Sequence, residues 1–130
     1  MDRLNILPLG DVNGVKFGDS REDVRKAFGE YTEFKKTPFS GNTTDDFGSF
    51  HVFYDSDDKF EAIEVFGEIK VAVDDIEVFP GTIENLLQSI SGFVDEDGYY
   101  TNYDLSIGIT LTEENTIDSI LFGCKDYYTT

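Results

Sequence analysis

The 130-residue chain is long enough for one domain and too short for two ordinary ones, and 39% hydrophobic residues, with 12 Phe and 7 Tyr, are enough to bury a core. Lys and Arg number 10 against 27 Asp and Glu, a net charge of −17. The apolar content excludes disorder for most of the chain despite this charge, and a charge of this sign is repelled by phosphate backbones and anionic membranes, which argues against direct nucleic-acid or membrane binding.

The chain opens on Leu4-Asn5-Ile6-Leu7, a candidate first strand that ends at Pro8 and Gly10. The opening segment has no basic start followed by an apolar run, so no secretory signal is expected, and no stretch approaches the length of a membrane span. The single cysteine, Cys124, excludes an intrachain disulfide and a thiolate zinc cluster. A cytoplasmic protein is expected. Residues 1–70 hold 9 basic and 15 acidic groups, net −6, whereas residues 71–130 hold 1 basic and 12 acidic, net −11.

One pattern is written twice. Lys16-Phe17-Gly18-Asp19-Ser20 leads into Arg21–Phe28 and stops at Gly29; 62 positions on, Val78-Phe79-Pro80-Gly81-Thr82 leads into Ile83–Ile90. Ser20 and Thr82 read as helix N-caps, Glu22 and Glu84 suit the first turn, and Gly29 and Gly92 stand where each helix should end. Val24, Ala27 and Phe28 fall on one helical face, as do Ile83, Leu86, Leu87 and Ile90. A hairpin follows each helix. Phe50–Tyr54, the turn Asp55–Asp58 and Lys59–Gly67 form the first; Leu105–Leu111, the turn Thr112–Asn115 and Thr116–Gly123 form the second, displaced by 57 positions. Repeat-like halves of about 14–67 and 76–123 within a single domain, 1–130, are therefore expected. Ile69–Val73 alternates and reads as a third strand after the first hairpin, and Tyr99–Tyr103 is β-prone after the turn Asp95–Gly98. The fold class expected is α+β: an antiparallel sheet with two short helices on one face, since helices this short need a sheet to lie on.

Chemistry is sparsely marked. His51, the only histidine, sits between Phe50 and Val52 on a strand without a partner for catalysis, and a lone histidine excludes a His-based metal site. Asp11–Glu22 spells part of a calcium loop, but Val15 and Lys16 stand where it needs an oxygen ligand and a glycine. Gly10, Gly14 and Gly18 form no phosphate-binding fingerprint. No catalytic residue, metal or cofactor is expected. The segment that invites a partner is 95–104, where Asp95, Glu96, Asp97 and Asp104 mingle with Tyr99, Tyr100 and Tyr103. Tyrosine gives large contact area at small entropic cost, and carboxylates steer a basic partner. In a strand, Tyr99 and Tyr103 share a face and Tyr100 points away. Asp126-Tyr127-Tyr128 repeats the mixture, and the segment Lys35–Gly48 is long enough to be a functional loop.

Gly14–Gly29, with Phe50–Asp55 and Phe60–Glu64, resembles small bacterial domains with a GxxFGxSxxxVxxxxG helix start and a following hairpin. These include the duplicated helix-plus-sheet domains of β-lactamase inhibitor proteins and the outer-membrane assembly lipoproteins similar to them, as well as immunity partners of bacterial polymorphic toxins. The motif encodes capping and packing, so no functional residue carries over, and the chain lacks the signal sequence and cysteine pair of the secreted relatives. What the resemblance implies is a non-enzymatic immunity protein that neutralises a cognate, basic toxin by protein–protein binding. Many such toxins are nucleases, whose basic sites an acidic surface fits. A carboxylate-based hydrolase and an acidic peptide-binding regulatory module are the alternatives.

Overall fold

The structure, a computed structural model, describes residues 2–129. Two sheets and two helices enclose one core. The chain begins with β1 (Arg3–Leu7), β2 (Asp11–Val12) and β3 (Val15–Lys16), followed by α1 (Arg21–Phe28). Four strands follow: β4 (Thr32–Phe34), β5 (Thr44–Asp46), β6 (Phe50–Tyr54) and β7 (Phe60–Val65). The second half repeats this order with β8 (Lys70–Val73), β9 (Ile76–Phe79), α2 (Ile83–Ser89), β10 (Val94–Asp95), β11 (Tyr100–Asn102), β12 (Ile107–Leu111) and β13 (Ile117–Gly123).

Both helices start as their capping residues dictate. The Ser20 hydroxyl accepts from the Asp23 N–H at 3.2 Å and the Thr82 hydroxyl from the Asn85 N–H at 3.3 Å, each satisfying a donor that the first turn leaves free. Gly29 ends α1 with φ of 93°. The second helix ends earlier than expected. Ile90 turns extended to pack against the core, and Gly92, at φ of 99°, lies beyond the helix end.

The large sheet has the order β10-β11-β12-β13-β7-β6-β5-β4, antiparallel throughout. Its centre is the pairing of β7 with β13, where Val65 faces Ile120 and Ile63 faces Phe122. Ile120 stands 57 positions after Ile63, and Phe122 as far after Val65, so each half offers the same two positions to the other across a local two-fold axis. The hairpins carry the same anchoring to their helices. Phe60 N–H donates to Asp19 C=O at 2.8 Å, and Ile117 N–H donates to Gly81 C=O at 2.9 Å.

A second sheet, β3-β2-β1-β8-β9, corrects the expectation of one antiparallel sheet. The strand at 70–73 does not extend the first hairpin, because β13 occupies the open edge of β7. It pairs in parallel with β1 instead, Leu4 facing Val71 and Ile6 facing Val73. Val71, Ala72 and Val73 are all buried, as suits a strand covered on both faces. The hairpins β2–β3 and β8–β9 flank this pair, and each turns on two residues with positive φ: Asn13 (51°) with Gly14 (84°), and Asp74 (48°) with Asp75 (68°). The chain is thus a sheet-rich α+β protein.

The core lies between the small sheet, the helices and the inner face of the large sheet. Leu4, Val24, Val52, Ile63, Leu86, Ile109, Ile120 and Phe122 belong to one buried cluster. If the central seam holds the halves together, Ile120→Ala should lower unfolding free energy by about 2–5 kcal/mol, measured by urea denaturation. A loss under about 1 kcal/mol would contradict a close-packed seam.

Candidate functional site

Three features carry polar chemistry, two of them beyond the expected segment. The first is an ionic cluster under α1. Asp45 on β5 is fully buried, facing the helix beside Val52. Arg25 grips it with two hydrogen bonds, Nε to Oδ2 and Nη2 to Oδ1, both 2.8 Å, and Arg21 reaches Oδ1 at 3.2 Å. The Tyr54 hydroxyl donates to Oδ2 at 2.7 Å. Both guanidiniums are shared outward, Arg21 with Asp58 at 2.7 Å and Arg25 with Glu33 at 2.8 Å, and each lies over a ring: Arg21 over Tyr54 and Arg25 over Tyr31. The hydrogen bond to Asp45 is the main force holding the Arg25 pKa above its ordinary value, and the one from Arg21 holds the Asp58 carboxyl below its own. Arg21 also ties down the loop after β4 through the Thr43 hydroxyl and carbonyl.

The second half solves the same packing problem without charge. Ile83 replaces Arg21, Leu111 replaces Tyr54, and Tyr100 replaces Asp45, since Tyr100 faces Ile109 as Asp45 faces Val52. All three pack in the core cluster. Tyr100 turns its ring inward against the core, as strand alternation requires, and stays partly exposed near the sheet edge beside Asp95.

The remaining residues of the expected site lie together at one end of the large sheet. Asp95 ends the edge strand β10 and its carboxylate accepts from the Gly98 N–H at 3.0 Å, shaping a turn in which Glu96 and Asp97 are exposed. Tyr103 donates its hydroxyl to Glu96, and Asp104 is exposed in the next turn. Tyr99 is 38% exposed, with its hydroxyl 3.5 Å from that of Tyr128.

That contact leads to the third feature, the outer face of the large sheet. Neither helix covers it, since both pack on the inner side with the core. Across its middle the registers line up Asp46, His51, Glu64, Leu121, Gly108 and Thr101, from β5 to β11. On the first half the rings are the strands' own. Phe34 and Phe66 stand edge-on to His51 at centroid distances of 4.9 and 4.5 Å, and Lys36 lies over Phe53 at 3.6 Å. On the second half, Gly108 and Gly123 occupy the positions equivalent to His51 and Phe66. The segment after β13 lays Tyr127 and Tyr128 into the trough they leave: a Cβ on Gly108 would stand 2.1 Å from the Tyr128 oxygen, and one on Gly123 2.5 Å from Tyr127. Burial pushes the Tyr127 phenol up to about 12, with the Glu61 and Glu64 charges adding to it, and burial likewise raises Tyr128.

The segment 35–48 borders a cleft of about 530 Å³, lined by Lys36, Asn42, Thr43, Phe53, Tyr54 and Glu61. Asn42 closes its floor by donating to the Tyr54 and Asp55 carbonyls. Among the described residues no three His, Cys, Asp or Glu side chains converge on a point that a metal ion would occupy, and no helix is long and apolar enough to cross a membrane. In comparisons with known proteins, no family model matches this chain, and no curated protein or solved structure is significantly similar to it.

Sequence reasoning missed the Asp45 cluster, whose one local signal is Arg21 and Arg25, a helical turn apart beside Val24. Asp45→Asn should destabilise the fold by about 3–5 kcal/mol, because the two arginines lose their buried counter-charge. Urea denaturation reads this, and a change below about 1 kcal/mol would contradict a buried pair. The tyrosines predict an alkaline limit. A phenol raised in the folded state contributes stability that is whole below the unfolded phenol value, about 10, and is lost as pH rises toward the folded one. Unfolding free energy should therefore fall between about pH 10 and 12, and Tyr127→Phe should flatten that fall. An unchanged slope would contradict the raised phenol.

Proposed function

We propose that this chain is an immunity-type inhibitor, a non-enzymatic acidic protein that acts in the cytoplasm by binding a basic toxin and covering its active site. The observation that carries the reading is the outer face of the large sheet, which neither helix covers and on which Phe34, Phe66 and Tyr99 stand exposed beside carboxylates. Exposed apolar surface rimmed by polar groups marks protein-binding sites. Aromatic rings supply the contact area that anchors such interfaces, and a net charge of −17 accelerates encounter with a positively charged partner. Tyr99, whose hydroxyl meets that of Tyr128, joins this face to the turns at the end of the sheet that carry Tyr103, Asp95, Glu96, Asp97 and Asp104. A nuclease is the toxin class whose active site best fits such a surface, with carboxylates standing in for phosphates.

A hydrolytic reading has less support. Asp45, the one fully buried carboxylate among the described residues, is held by two arginines and a tyrosine, which keeps it from serving as an acid or base.

The test is capture followed by rescue. The protein is used as bait in lysate of its own host at low and high salt, and the captured partner is then expressed with and without it. A basic partner, released by salt, that arrests growth alone and not with this chain is the expected result. The variant Asp95→Asn/Glu96→Gln/Asp97→Asn/Asp104→Asn should slow association about tenfold or more at low salt. A captured partner whose toxicity this chain does not relieve would overturn the immunity reading.

A further inference from the structure

The centre of the outer face holds a carboxylate without a partner. Glu64 sits on β7, one residue from the β7–β13 seam positions Ile63 and Val65, and faces His51 on one side and Leu121 on the other. It is half-buried, and among the described residues none forms an ion pair with it. The other carboxylate of the same cross-strand row, Asp46, lies 3.7 Å from the His51 Nε2. Rings stand on both sides of Glu64. His51 and Phe66 lie toward the first half; toward the second, Tyr127 lies over Gly123, the register partner of Ala62, and Tyr128 over Gly108, the partner of Leu121.

A carboxylate set among aromatic rings suits a planar cation. A guanidinium offers parallel N–H donors to the carboxylate and a weakly hydrated face to the rings, whereas an ammonium is compact and strongly hydrated. The face already seats one cation on a ring within the chain, the Lys36 ammonium over Phe53. From this geometry we propose that Glu64, walled by His51, Phe66, Tyr127 and Tyr128, is the anchor subsite of the outer face and receives an arginine side chain of the basic partner. The assignment rests on the reading of this face as the partner surface, but its chemistry is testable without the partner. Hot spots concentrate near the middle of an interface where surrounding contacts exclude water, and Glu64 holds that place on the sheet. The acidic turn at 95–98 would then steer, and Glu64 would hold.

The probe is N-acetyl-arginine amide, titrated into the isotope-labelled protein and followed by NMR, with the citrulline amide as its neutral counterpart. The expected result is saturable shifts centred on His51, Glu64 and Leu121, absent with citrulline. Glu64→Gln should weaken binding at least about tenfold, while Asp95→Asn/Glu96→Gln/Asp97→Asn/Asp104→Asn should leave it within about twofold. Having no ion pair to lose, Glu64→Gln should keep the wild-type unfolding midpoint, which separates loss of the site from loss of the fold. Shifts that fail to saturate, that centre on residues 95–104, or that survive Glu64→Gln would overturn the assignment. Failure here leaves the immunity reading standing on its growth test, and failure of that test leaves the arginine site standing on the titration.

Discussion

Everything in this molecule is arranged around the antiparallel pairing of β7 with β13. Ile63 and Val65 meet Phe122 and Ile120, so that two similar helix-and-hairpin units share one continuous sheet of eight strands. Joining the halves edge to edge removes the strand edge that each would otherwise expose. The join also fixes sidedness. Because strand side chains alternate, placing Ile63 and Val65 inward necessarily puts Glu64 and its neighbours outward, at the middle of a broad surface. The small sheet and both helices complete the core on one side and leave the other to the strands' own side chains, Lys36 and the tyrosines of the chain end.

The two halves show that one scaffold accepts two kinds of interior. Under α1 the gap is filled by Arg21, Arg25, Asp45 and Tyr54, and under α2 by Ile83, Tyr100 and Leu111. A buried ion pair and a well-packed apolar group are close in net free energy, so neither arrangement is required by stability. The ionic version does something the apolar one does not: through Thr43, Glu33 and Asp58 it ties the helix to β4, to the loop before β5 and to the hairpin turn. The outer face shows a similar exchange. Strand-borne rings at His51 and Phe66 are matched in the second half by glycines that admit Tyr127 and Tyr128 from the chain end.

Local chemistry was readable and distant pairing was not. Ser20 and Thr82 declared their helices because a cap is a contact three residues long, and the alternation of Phe60, Ala62 and Glu64 declared a strand. The inward turn of Tyr100, opposite to Tyr99, also follows from alternation alone. The second sheet was hidden, since nothing near Lys70–Val73 says that its partner is Arg3–Leu7, more than sixty residues away. Asp45 was hidden for the same reason: two consecutive aspartates in a polar segment look solvated until the fold brings Arg21 and Arg25 over one of them. Glu64 looked like an ordinary outward strand residue. Its central position exists only once β7 and β13 have paired.

A partner seated on the outer face of the large sheet would shield the rings that stand there. Hydroxyl-radical footprinting of the free protein and of its complex with the captured partner tests this most directly, because oxidation reports the exposure of individual aromatic side chains. The rings of Phe34, Phe66, Tyr99 and Tyr128 should lose most of their oxidation in the complex, while Leu87 on the outside of α2 should keep it. Protection confined to the helix side, with those four rings oxidised as in the free protein, would contradict it.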